Sequence, residues 1–303
     1  MKNIKTYNSA KAFRTALEAR LKQKARTEGL NFERLYKKVA FDRFLARIFN
    51  RLPPAFAMKG GYAMEIRTVT QGFITAARAT KDIDLTSCDK SLSALDWEEQ
   101  NQLIFEKLQQ CMLQPLNDYF DFVIGKSILE LENSPYGGGR FHIEARLDGR
   151  TFTKFHVDVG VGDVIIEPLE ILTPTDWLAF AGIPVVNIYT ISKEQQLAEK
   201  VHAYTLPRDR NSRTKDLIDI YLLVSSEHCD SKKVSTALEK TFKRRKTHSI
   251  PQTLLLPPSD WEAPFTALAR DLGIETDYMV VFKFVCDWYQ KLLENQSTSK
   301  TRL

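Results

Sequence analysis

Asp82 and Asp84 stand two residues apart in Lys81-Asp-Ile-Asp-Leu-Thr86. On a strand, residues i and i+2 leave the same face, so the two carboxylates sit side by side while Ile83 and Leu85 pack behind. Paired carboxylates repel unless a cation lies between them. Mg²⁺ takes hard oxygen ligands, usually one or two protein carboxylates completed by substrate phosphates. Upstream lies Ala55-Phe-Ala-Met-Lys-Gly-Gly-Tyr-Ala-Met-Glu-Ile-Arg67, a short apolar run broken by Gly60-Gly61 and followed by helix-forming residues. A strand, a glycine turn and a helix start can receive phosphate oxygens, because unpaired N–H groups and the helix dipole point there. A Gly-Gly or an Asp-x-Asp alone is most often a turn or a solvated acid. In this order they point to metal-assisted phosphoryl or nucleotidyl transfer.

A third acid follows from Thr151-Phe-Thr-Lys-Phe-His-Val-Asp-Val-Gly-Val161. Phe155, Val157, Val159 and Val161 share one face, His156 and Asp158 the other. A carboxylate in so apolar a strand costs several kcal/mol unless it is paired or metal-bound, which makes Asp158 the candidate partner of Asp82 and Asp84. The plain alternative is an edge-strand Asp facing water. His156 reads as structural, and Asp163 as a turn residue.

Lys59-Gly-Gly-Tyr-Ala-Met and Arg78-Ala-Thr-Lys-Asp-Ile-Asp-Leu together resemble the AbiEii (MenT-like) toxins, which are polymerase-β-type nucleotidyltransferases of bacterial toxin–antitoxin and phage-defence systems. The likeness returns at Gly160-Val-Gly-Asp-Val-Ile165, at Glu199-Lys-Val-His-Ala203, and at Arg213-Thr-Lys-Asp-Leu-Ile-Asp219. It implies an α/β (α+β) fold with a mixed nucleotidyltransferase sheet, flanking helices and a helical C-terminal region. It implies two Mg²⁺ ions on Asp82, Asp84 and Asp158, and an NTP whose phosphates Lys200 steadies. A fixed lysine can hold a triphosphate and favour pyrophosphate as leaving group. Asp216 would orient Lys200 or Arg213. Lys59, Gly60, Gly61, Arg78, Thr80, Arg213 and Lys215 are further candidates for nucleotide contact. Without the resemblance, Lys200 and Asp216 read equally well as surface ion pairing; Asp219 reads as structural.

The acceptor that the likeness implies is the 3′ end of tRNA, so that aminoacylation and translation stop. It also implies a cognate antitoxin, with Thr80 as the position that the antitoxin phosphorylates. The same acids would serve transfer to a protein side chain, and a metal-free RNA-binding protein is the reading from another class. Two features depart from the common nucleotidyltransferase pattern. Gly61 stands where many members have a serine hydroxyl, and twenty residues (Tyr62 to Lys81) separate the turn from Asp82. Of these, Thr68 to Ala77 are read as a flap.

The surrounding chain must position these groups. At 303 residues with 43% hydrophobic and 27% charged content it can bury an ample core. No apolar run reaches membrane-spanning length, the first residues lack a signal-peptide core, and four scattered cysteines suit a reducing cytoplasm. Met1 to Arg51 carries fourteen Lys/Arg against four Asp/Glu, and Lys200 to Lys246 twelve against six. Basic flanks around an acidic centre fit a polyanionic substrate, although each cluster would equally serve as a solvated helix face. Helical spacing predicts helices from Asn8-Ser9 to Arg26, Phe32 to Phe49, Trp97 to Leu116, Lys193 to Leu206, Arg213 to Val224, Lys232 to Lys246, Asp260 to Leu272 and Asp277 to Leu293, with a frayed tail after Asn295. Alternation predicts strands at Tyr119–Ile124, Ser127–Glu132, Phe141–Leu147 and Asn187–Ile191, and Asp148-Gly149 is a hairpin signal. The organisation expected is 1–191 for the N-terminal helices and catalytic core, and 192–303 for a helical domain.

Overall fold

The computed structural model describes residues 6–70, 80–131, 134–209, 212–226 and 229–300. The chain divides into two units. One takes in Met1–Ile66, Ala79–Asp163 and Ile171–Thr190; the other takes in Arg67–Arg78, Val164–Glu170 and Ile191–Leu303.

The first unit is built on a mixed sheet. Its strands are β1 (Phe56–Lys59), β2 (Ile83–Ser87), β3 (Phe120–Glu130), β4 (Gly138–Leu147), β5 (Arg150–Gly160), β6 (Glu170–Leu172) and β7 (Ile188–Thr190), in the order β3-β4-β5-β2-β1-β7-β6. β2 runs parallel to β5 and antiparallel to β1; β3, β4 and β5 form an antiparallel ribbon. One face of β5 buries Phe155, Val157 and Val159. Helix α2 (Phe32–Phe49) covers that face, with Phe41 and Phe44 edge-on to Phe155 at 4.8 and 5.7 Å. Helix α1 (Ala10–Glu28) starts at Ser9, whose hydroxyl accepts from the Ala12 N–H. Helix α3 (Gly60–Thr70) is fixed to α2 through its first turns. The Tyr62 hydroxyl donates to Asp42 at 2.6 Å, and buried Glu65 accepts from Arg34 at 2.9 Å and pairs with Lys38 at 2.5 Å. The turn that begins α3 is therefore rigidly placed.

Several boundaries move from the sequence expectation. Helix α4 (Trp97–Met112) ends four residues before Leu116, because Pro115 disfavours helical geometry just ahead of it. The two strands expected between Tyr119 and Glu132 are one, β3, with irregular register at Ile124/Ser127 and Ser127/Glu130. Its entry is fixed by buried Asp118, which accepts from Arg43 at 2.7 Å and from Arg47 at 2.7 and 2.9 Å.

The second unit holds helices α5 (Lys193–Thr205), α6 (Thr214–Ser226), α7 (Ser231–Arg245), α8 (Glu262–Leu272) and α9 (Tyr278–Lys300). Ser192 caps α5 by accepting from the Gln195 N–H at 3.1 Å. Leu197, Val201, Leu217, Ile220, Val234, Leu238, Phe265 and Tyr289 are buried in its core. Arg67, on the last turns of α3, donates to Glu170 and to the Ile191 carbonyl at 2.7 Å each. The tail expected to fray at Asn295 instead continues α9 to Lys300. Among the described residues, no helix is long and apolar enough to cross a membrane.

Candidate active site

The strand register brings the acids together. Asp84 on β2 lies directly beside Asp158 on β5, and the pairing continues outward to Lys59 on β1 and Arg140 on β4. Four neighbouring strands thus carry one level of charged side chains, Lys59–Asp84–Asp158–Arg140. Asp82, at the foot of β2, and His156 form the next level, with His156 Nδ1 3.5 Å from Asp82 Oδ1 and the His142 ring 5.5 Å from that of His156. Strands lie about 4.8 Å apart, so two ionised carboxylates at one level repel by roughly 3 kcal/mol at an effective dielectric of about 20.

Arg140 relieves that repulsion on one side. Its Nε and Nη2 donate to Asp158 Oδ1 and Oδ2, both at 2.7 Å, and Nη2 lies 3.7 Å from Asp82 Oδ2. The hydrogen bonds to Asp158, with the charges of Asp158, Asp82 and Asp84, hold the guanidinium well above its usual pKa. On the other side, Lys59 donates to Asp163, whose side chain is buried. This pair crosses Gly160: a Cβ there would stand 2.9 Å from Asp163 Oδ2 and 3.3 Å from Lys59 Nζ. Asp163, expected to serve a turn, is therefore the anchor of Lys59.

Gly60 has φ +67°, and a Cβ on it would meet Asp84 Oδ2 at 2.0 Å. Only glycine lets the turn and the carboxylate approach so closely. The Gly61 N–H is directed at the same oxygen, at 3.4 Å. Among the described residues, no three Asp, Glu, His or Cys side chains gather as a preformed metal cage. Asp82 and Asp84 offer hard oxygens from a partly exposed position, which suits one hard divalent cation.

In the second unit Lys200 is pinned between two acids of α6, 2.8 Å from Asp216 Oδ1 and 2.8 Å from Asp219 Oδ2. Its side chain is 17% exposed and that of Asp219 is fully buried. Arg213 Nη1 lies 3.7 Å from Asp216 Oδ2. Asp216 and Asp219 are one helical turn apart, so both reach one ammonium.

A family model described as the nucleotidyl transferase AbiEii toxin of type IV toxin–antitoxin systems matches residues 43–280. The chain belongs to this family. It is a nucleotidyltransferase of the AbiEii toxin type, as its sequence implies. Among solved structures it is similar to MenT4, a nucleotidyltransferase toxin from Mycobacterium tuberculosis H37Rv, at 13% identity, with 92% of this chain and 97% of that chain covered and a TM-score of 0.50. That likeness agrees with the mixed sheet, flanking helices and C-terminal helices. An antigenic nucleotidyltransferase-like protein from Paracoccidioides brasiliensis aligns at 17% identity over 72% of this chain and 91% of its own, with a TM-score of only 0.37. No curated protein matches.

Of the residues the sequence singles out in this AbiEii chain, Lys59, Gly60, Gly61, Asp82, Asp84 and Asp158 lie on adjoining strands and the turn of the first unit. Thr80 is half-buried, two residues before Asp82. Lys200, Arg213, Asp216 and Asp219 form a cluster in the second unit. Arg78 and most of the Thr68–Ala77 stretch lie outside the described residues. Sequence reasoning missed Arg140 altogether. Counting back from the Asp148-Gly149 turn places Gly139 opposite Asp158. Between the pairs Arg146↔Thr151 and Ala145↔Thr153 the extra residue Phe152 shifts the register by one and sets Arg140 there.

Proposed function

We propose that the chain transfers a nucleotide from an NTP to the 3′ end of tRNA in a Mg²⁺-dependent reaction, and so blocks aminoacylation and translation. The observation that carries this reading is the in-register pairing of Asp84 with Asp158 beside the Gly60-Gly61 turn. Asp82 and Asp84 would hold the cation. Bound there, Mg²⁺ supplies charge neutralisation for the triphosphate and lowers the pKa of the attacking hydroxyl. The acceptor oxygen forms a bond to the α-phosphorus, the bond to the β-phosphate oxygen breaks, pyrophosphate leaves and the hydroxyl proton passes to solvent. Lys200, its ammonium fixed by Asp216 and Asp219, is the proposed ligand for the phosphates. Arg213 is a second candidate. Helix α1, with exposed Lys11, Lys22 and Arg26, is suited to an RNA backbone, whereas Arg43 and Arg47 of α2 are buried on Asp118.

The family's type IV toxin–antitoxin membership implies an antitoxin. Phosphorylation of Thr80 by it would place about two negative charges next to Asp82 and oppose nucleotide binding. An unmodified Thr80 peptide in a neutralised, co-expressed toxin would exclude that route. The test of the reaction is purified chain with each labelled NTP, Mg²⁺, total tRNA and total protein, with Asp84→Asn as control. Label in RNA, located by sequencing of 3′ ends, supports tRNA as acceptor, and label in protein redirects the substrate. RNA binding and toxicity that survive Asp84→Asn with no label in either fraction would overturn the enzyme reading.

A further inference from the structure

Arg140 is the group most tightly engaged with the acids, yet a cation held by Asp82 and Asp84 leaves it without a role. A guanidinium fork on a carboxylate is among the strongest hydrogen-bonded pairs, because two parallel N–H groups meet two oxygens. Here both oxygens of Asp158 are taken at 2.7 Å, and the same Nη2 faces Asp82 at 3.7 Å. The register fixes this arrangement: Arg140 and Asp158 are direct partners in the β4–β5 ribbon, so their side chains leave the sheet together. Charge supports the same conclusion. Three carboxylates against one guanidinium leave two negative charges, which a single divalent ion neutralises.

Resting on the transferase reading of this site, we propose that Arg140 is its built-in second cation. By chelating Asp158 and reaching Asp82 it removes the third carboxylate from metal binding, so that the chain takes one divalent ion, on Asp82 and Asp84. Asp158 is then a positioning residue that acts through Arg140. This replaces the two-ion arrangement that the sequence resemblance implies.

The experiment counts Mn²⁺ bound per chain, by the paramagnetic resonance signal of free Mn²⁺, on the full-length protein without nucleotide. Wild type is expected to bind one ion and Asp84→Asn none. Asp158→Asn should still bind one, with affinity within about threefold of wild type. Arg140→Gln releases Asp158 and is expected to bind two. If melting followed by circular dichroism shows that Arg140→Gln is unfolded, the count for Asp158→Asn decides alone. Two ions in wild type, one of them lost in Asp158→Asn, would overturn the inference and leave the transferase reading intact. No ion in wild type would overturn the inference, and the transferase reading falls with it only if the labelled-NTP assay also shows no transfer.

Discussion

Replacing Gly60 by alanine separates the backbone role of this turn from its role in placing Asp84. Gly60 has φ +67°, where an L residue costs about 1–2 kcal/mol. The new Cβ would also stand 2.0 Å from Asp84 Oδ2 and 2.5 Å from Asp84 Cγ, whereas ordinary contact begins at 3.4 Å. The carboxylate must retreat by more than about 1 Å, a misplacement that costs on the order of 100-fold in rate. Gly149 provides the control, since it has the same φ of +67° and a Cβ added there would meet nothing within 4 Å. Both variants should melt roughly 2–8 °C lower, from the shared backbone term. Only Gly60→Ala should lose nucleotide transfer by about two orders of magnitude, equivalent to ~2.7 kcal/mol of barrier. Transfer in Gly60→Ala within about threefold of Gly149→Ala, at saturating NTP, would refute the claim that this turn positions the carboxylate.

Other consequences can be measured without the reaction. Lys200→Met leaves the buried carboxylates of Asp216 and Asp219 without their shared ammonium, so denaturant unfolding should show a loss of about 3–5 kcal/mol, partly restored by adding Asp219→Asn. Burial pushes the Asp42 carboxyl up to about 7 from its ordinary 3.8, against the opposing hydrogen bonds from Tyr62 and Trp177. The folded chain therefore keeps a proton that the unfolded chain has released, and stability falls as pH rises from 3.8 to about 7. The loss is up to ~4 kcal/mol, and Asp42→Asn should flatten it in urea titrations at pH 5 and pH 8. Asp118 behaves in the opposite way: burial raises its carboxyl, but Arg47 and Arg43 outweigh that and hold it below the ordinary range. It stabilises above the carboxylate range and loses that contribution as pH falls. Asp118→Asn strands two buried guanidinium groups, for which a loss of about 3–5 kcal/mol at neutral pH is expected.

What the sequence makes legible here is local. Strand alternation puts Asp82 and Asp84 on one face and Phe155, Val157 and Val159 on the face opposite Asp158, since a period of two needs no partner strand to be read. The glycine turn, the Ser9 and Ser192 caps and the course of α2 are likewise decided by residues within one turn of each other. The sheet order β3-β4-β5-β2-β1-β7-β6 is not legible in that way, because it depends on which distant segments pair. Long-range partners are hidden for the same reason. Asp163 reads as a turn residue until β1 places Lys59 within its reach, and Asp219 reads as structural until α5 and α6 bring it to Lys200.

Arg140 shows how small the missing information can be. The hairpin turn at Asp148-Gly149 is visible in the sequence, and both turn residues adopt positive φ, 57° and 67°. From there an unbroken ladder would set Gly139 against Asp158, and the acid would have no counter-ion on β4. The slip comes from Phe152, whose ring is drawn inward to stack on Tyr36 at 4.2 Å and to meet Phe120 edge-on at 5.1 Å. Burying an aromatic side chain contributes about 1.5–3 kcal/mol, enough to favour one extra residue in the strand. Beyond the slip, Ala145, Ile143 and Phe141 are buried opposite Thr153, Phe155 and Val157 and would face the acids without it, so core packing along both strands determines which residue faces Asp158. Phe152→Thr should weaken the bulge, and a shift of the β4–β5 amide couplings toward Gly139↔Asp158 would be its signature. Unchanged cross-strand couplings in that variant would mean that the buried Phe141, Ile143 and Ala145, which a slip would turn toward the acids, hold the register without Phe152.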